Sequence, residues 1–188
     1  MRTDRVVTRR YIKDYKLSEE VTARGGIRTE AVYVGKHFAF EDEAGARRCA
    51  GPLFWGCCAA WLLFIGALLP KSGASRLMWV IMPYAFSALP LGFMTDSAIL
   101  LRRRLDAGRY IRSEHDKLSK RLPVCAFWLM LLAGASALGL GVTALASPES
   151  VNVYDIIFGL CAAVLAALGG YGFAVRERLR MRECGVKA

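Results

Sequence analysis

The stretch LMWVIMPYAFSALPLGFMTDSAILLRRR, Leu77 to Arg104, decides the fold. From Leu77 to Met94 it runs 18 residues without a charge, then admits Asp96 and closes on three arginines. Eighteen residues of helix rise about 27 Å, close to the roughly 30 Å of a bilayer's hydrocarbon. The full run to Leu101 rises about 37 Å, so its last turns project into the polar zone. On that count Thr95, Asp96 and Ser97 fall at the interface where lipid ends. Asp96 has Gly92, Phe93, Ile99 and Leu100 three and four positions away, so its own helix supplies no ion-pair partner. A charge held in hydrocarbon would need Lys120, Arg121 or Arg176 from elsewhere in the chain. Thr95, Asp96 and Ser97 are therefore the candidate polar site of the apolar part.

Three more runs have the same character: Pro52–Leu69, Leu122–Ala146 and Tyr154–Val175, the last with Asp155 at its rim. Only helices or closed barrels satisfy their backbone in lipid, and these runs lack the alternation of barrel strands. The expected fold is an integral membrane, mainly α protein. Its four transmembrane helices, over 52–69, 77–101, 122–146 and 154–175, form a bundle of two antiparallel hairpins. This explains how a chain that is 55% hydrophobic also carries a formal charge of +10: apolar and basic segments alternate.

The basic segments fix an orientation. Residues 1–51, 102–121 and 176–188 hold 24 of the 26 lysines and arginines, and the connection 147–153 holds none. Loops rich in Lys and Arg stay on the cytoplasmic side. Both termini and the middle loop are expected there, in the cell membrane. The N-terminus has no apolar core of signal-peptide kind, so the first helix is expected to act as an uncleaved insertion signal. Arg102, Arg103, Arg104, Arg121, Arg176, Arg178 and Arg180 are the expected contacts to anionic headgroups, each worth roughly 1 kcal/mol near the surface. Positive-inside bias accounts for these charges without nucleic acid, for which no reading element is evident.

Residues 1–51 are more than a tail. Gly25-Gly26 separates the extended stretches Lys16–Ala23 and Arg28–Val34, and Gly35-Lys36 precedes His37–Phe40. These read as a cytoplasmic β-meander of two or three strands. Tyr11, Tyr15, Leu17, Val21 and Tyr33 offer too little apolar surface for an independent domain. The meander should rest on the loop 105–121, the membrane or a partner. In that loop Leu105, Ile111, His115, Leu118 and Leu122 recur at helical spacing, as in a short amphipathic helix.

Pro83 and Pro90, with Ser87 between them, each remove a helix hydrogen bond and are expected to bend the second helix. Small residues line the third run (Ala133, Gly134, Ala135, Ala137, Gly139, Gly141) and the fourth (Gly159, Ala163, Ala167, Gly170), favouring close helix packing or dimer contacts. The six cysteines form no C-x-x-C pair. No metal or cofactor motif and no hydrolase or phosphate-loop pattern occurs. Arginine outnumbers lysine and alanine is abundant, a composition that suits a bacterial protein from a GC-rich genome.

The expected function is non-enzymatic: an accessory or regulatory subunit of a membrane assembly such as a transporter, with a membrane-protein partner or a second copy of itself. One alternative is a small homo-oligomeric transporter or channel whose path is lined by helix 2 and Asp96. A further alternative is a lipid-modifying membrane enzyme using Asp96, His115 or Asp116.

Overall fold

A computed structural model describes residues 13–21, 27–69, 73–105 and 108–184. The Gly25-Gly26 turn, Tyr11 and the extreme N-terminus lie outside the described residues, as do the side chains of Leu17 and Val21. The chain is mainly helical, with four helices long and apolar enough to cross a membrane and two small antiparallel sheets.

Helix α1 spans Glu43–Leu68 and starts nine residues ahead of the apolar run. Its N-terminus explains why. The Asp42 carboxylate accepts the Gly45 N–H at 2.8 Å, and Glu43 bonds Arg47 one turn on at 3.0 Å. An N-cap followed by an acid in the first turn satisfies free donors and complements the helix dipole. Pro52 lies inside α1 without ending it.

The second span is two helices, α2 over Met78–Phe86 and α3 over Ala88–Arg104. Pro90 has no N–H to return to the Phe86 carbonyl, and the break falls on Ser87 between the two prolines. There the Ser87 N–H bonds the Pro83 and Tyr84 carbonyls, and its hydroxyl donates to Tyr84 O at 2.6 Å. Pro83 itself stays within α2.

The third span runs unbroken from Arg112 to Ala146. It opens as α4, Arg112–His115, widens into a π stretch over Asp116–Arg121, and continues as α5, Leu122–Ala146. The Leu122 N–H reaches back to Lys117 O, a five-residue step. Pro123 follows at once and donates no hydrogen bond, and the wider turn gives its ring room. The fourth span, α6, covers Val153–Ala174.

The strands depart from a single meander. Strand β1 (Tyr15–Val21) pairs with β2 (Ile27–Tyr33) as an antiparallel hairpin, with Tyr15 opposite Tyr33. Strand β3 (His37–Phe40) does not join it. It sits at the centre of a second sheet between β4 (Tyr110–Ile111) and β5 (Met181–Cys184), with His37 opposite both Ile111 and Cys184. The amphipathic reading of the loop holds for its helical half: Leu118 and Leu122 are buried.

The helices close a ring: α1 packs on α3 and α6, α5 packs on α6, and both halves of the second span pack on α5. The interior is filled by side chains such as Leu53, Val80, Leu91, Met94, Leu129 and Leu165, all fully buried. Tyr84 is stacked on Phe64 with centroids 4.9 Å apart and meets Phe158 at 4.6 Å. The exterior is apolar too. Leu62, Leu138, Leu145 and Leu160 stand 63–86% exposed. A helix that is hydrophobic all round wants an apolar environment on every side.

Candidate functional site at the basic end

The ends of the bundle differ in charge, and the candidate residues gather at the basic one. The triplet Thr95, Asp96 and Ser97 splits three ways. The Thr95 hydroxyl donates to Leu91 O at 2.8 Å and accepts the Trp61 indole N–H of α1 at 3.1 Å. Ser97 is sealed in the core and donates to Phe93 O at 3.0 Å. Asp96 alone faces outward, its side chain 49% exposed.

Asp96 does not stand unpaired. Lys117 Nζ lies 3.0 Å from its carboxylate and Arg121 3.8 Å. Arg121 was one of the partners expected for it; Lys117 was not. The signal was present, because Lys117 and Arg121 sit four apart and share a helix face. The Arg121 guanidinium also lies 3.8 Å from the Phe93 ring centroid, one turn before Asp96. The carboxylate therefore serves as the shared anion of a surface cluster joining α3 to the π stretch.

The other expected headgroup contacts fall into distinct environments. Arg102 lies over Phe54 at 4.5 Å and Trp55 at 5.4 Å, both on α1. Arg176 lies over Phe173 at 4.2 Å, with Glu177 at 3.5 Å. Arg104 turns inward to the buried Glu114 at 3.1 Å. Arg178 donates to the Cys49 sulfur at 3.8 Å. Arg103 and Arg180 are exposed, and the Arg180 carbonyl accepts the Glu41 N–H at 3.0 Å. Three of the seven arginines thus lie over an aromatic ring, an arrangement that attracts the cation to the ring face.

Behind this surface the small sheet is held by aromatics. Phe38 stacks on His115 at 4.1 Å, and Phe40 meets Tyr110 edge-on at 4.9 Å. Tyr33 links the hairpin to the loop: its hydroxyl donates to Lys36 O at 2.8 Å and accepts the Arg112 N–H at 3.0 Å. Burial, reinforced by the Glu114 charge, pushes the Tyr110 phenol up to about 12. His115 and Asp116, candidates for enzyme chemistry, are already engaged. His115 Nδ1 lies 3.7 Å from Asp116, whose carboxylate pairs with Lys120 at 2.8 Å. Among the described residues no group of three His, Cys, Asp or Glu side chains is placed to hold a metal ion.

The acid that is fully buried lies at the opposite end. Asp155 accepts the Ser75 N–H at 2.7 Å and the Asn152 N–H at 3.1 Å, while Asn152 caps α6 through the Tyr154 and Asp155 N–H groups. Its place at the rim of the apolar run concealed this role. The readable cue was Asn152-x-x-Asp155, a reciprocal capping pattern ahead of an apolar helix.

Four apolar helices in a ring, with an apolar exterior and basic connections gathered at one end, suggest a multi-pass membrane protein. Comparison with protein-family models, with curated proteins and with solved structures finds no match.

Proposed function

We propose that this chain is a four-span protein of the cell membrane, with both termini and the 105–121 connection in the cytoplasm, acting as a non-enzymatic accessory or regulatory subunit of a larger membrane assembly. One observation supports the topology above all. Strand β3 precedes the first span, β4 lies between the second and third, and β5 follows the fourth, yet the three are hydrogen-bonded into one sheet. Strands so joined lie on one side of a bilayer, as an even number of crossings between them requires. That side carries most of the basic residues, which favours the cytoplasm.

The accessory role rests on what remains exposed there. The β1–β2 hairpin forms a sheet separate from the three-stranded one, and Val32 within β2 and Val34 just after it are 49% and 53% exposed. A two-stranded ribbon gains most from a further strand or surface. The side-chain-filled interior favours this reading over a path through a single bundle. The test is the native mass in mild detergent. A stoichiometric second polypeptide beside the 20.7 kDa chain, released by Val32→Asp with Val34→Asp, is the expected result. A chain that always isolates alone, or a complex indifferent to the hairpin, overturns the reading.

A further inference from the structure

Five arginines at the basic end are offset by an acid: Arg47 by Glu43, Arg104 by Glu114, Arg112 by Asp14, Arg121 by Asp96 and Arg176 by Glu177. Arg48 and Arg102 are among the several that make no ion pair with a described carboxylate. Arg102 is also the only one of the three ring-stacked arginines so placed. Its guanidinium lies across Phe54 and Trp55, bridging α3 to α1. A guanidinium held over an aromatic ring keeps in-plane N–H donors for a further partner such as a phosphate.

The surface around Arg102 has two parts. Arg48 lies seven residues before Trp55, so both are on one face of α1. Further along that face come Ala59 and Leu62, exposed like Trp55, with Leu62 at 75%. Arg48 and Arg102, neither in an ion pair, thus lie along the face of α1 that carries an exposed indole and then an apolar wall. A small inorganic anion would use only the first part; a phospholipid uses both.

We propose that the surface where Arg102 of α3 lies over Phe54 and Trp55 of α1 seats one anionic phospholipid. Its phosphodiester accepts N–H donors from Arg102 and Arg48, and its acyl chains lie over the Trp55–Leu62 face of α1. The inference rests on the membrane reading above and specifies the ligand of that basic end. Arg121 and Arg176, stacked but internally paired, are secondary contacts.

The experiment uses the full chain, delipidated in detergent and titrated with phosphatidylglycerol, phosphatidylcholine or inorganic phosphate under native mass spectrometry. One phosphatidylglycerol is expected to bind, about five- to tenfold more tightly than phosphatidylcholine, with millimolar phosphate displacing little of it. Arg102→Ala should erase that preference. Phe54→Leu should weaken it without changing charge. Arg109→Ala, which removes an exposed and unstacked arginine, should leave binding within about twofold. If Arg102→Ala does not fold, Arg102→Gln and Phe54→Leu carry the test. Equal losses in the Arg102 and Arg109 variants would mean a diffuse field and would overturn the site. So would full displacement by phosphate, or no preference in the wild type. A chain that stays monodisperse without any amphiphile would instead remove the membrane reading itself.

Discussion

Two aspartates bracket the bundle, and the same functional group meets opposite environments. Asp155 is completely buried and accepts backbone N–H groups from Ser75 and Asn152, one across the fold and one local. Removing it takes this acceptor from the buried Ser75 N–H, and losing a buried bond's partner costs more than the bond itself is worth. Asp155→Ala should destabilise the chain by about 3 kcal/mol, and Asp155→Asn by less because an amide oxygen still accepts. Asp96 is half exposed, and its two cations have solvent as an alternative. Asp96→Asn should change stability by less than about 1 kcal/mol. Thermal unfolding of the purified protein in one detergent ranks the three variants. If Asp96→Asn unfolds earlier than Asp155→Ala, the burial argument fails. The ranking also bears on function, because an acid that worked inside a transport path would be expected to have the environment that Asp155 has.

At the scale of elements, glycine placement decides which helices touch. Helix α6 comes close to α5 at Gly169, where a Cβ would come within 2.5 Å of Met130 N and 2.7 Å of Ala126 O. Both obstacles are backbone, so neither can rotate aside. Gly169→Ala should force the helices apart and cost about 2–3 kcal/mol. Gly141→Ala, with nothing within 4 Å, should be neutral or slightly stabilising through helix propensity. Melting of the two variants checks this, and equal melting points would refute the close approach. The small residues of α6 were legible in the sequence as packing residues, yet not all of the stripe read there lies against α5. Ala163 and Ala167 face outward, while Gly169 and Gly172 meet α5. A run that is apolar on every side has no polar face to set its phase. By contrast, the four spans were legible because length and absence of charge need no phase. The strand partners were not legible, since β4 has two residues and β5 four, too few to show a period. The Asp96 cluster was half legible: Arg121 follows from charge and proximity to the apolar end, and Lys117 follows only from its spacing of four to Arg121.

For the molecule as a whole, the three-stranded sheet ties together segments that are far apart in the chain. It constrains where every span begins and ends. Residue 37 reaches residue 184 only if the chain returns to its starting side after four crossings, so the sheet's register and the membrane topology are tested together. His37 and Cys184 are cross-strand partners. Opposed residues in an antiparallel pair lie about 4.5–5.5 Å apart at Cα, within the span of a disulfide. His37→Cys should therefore cross-link to the native Cys184 when membranes are mildly oxidised, yielding a disulfide-bonded peptide pair after proteolysis. Ala39 faces Arg182 instead, and diagonal neighbours two residues off lie about 7–8 Å apart, so Ala39→Cys should link poorly. Cys184→Ser should abolish the product and thereby exclude the other cysteines as partners. Equal yields from positions 37 and 39 would reject the register. No product from either, in protein that still melts cooperatively, would reject the sheet and with it the argument that both ends and the middle connection share one side.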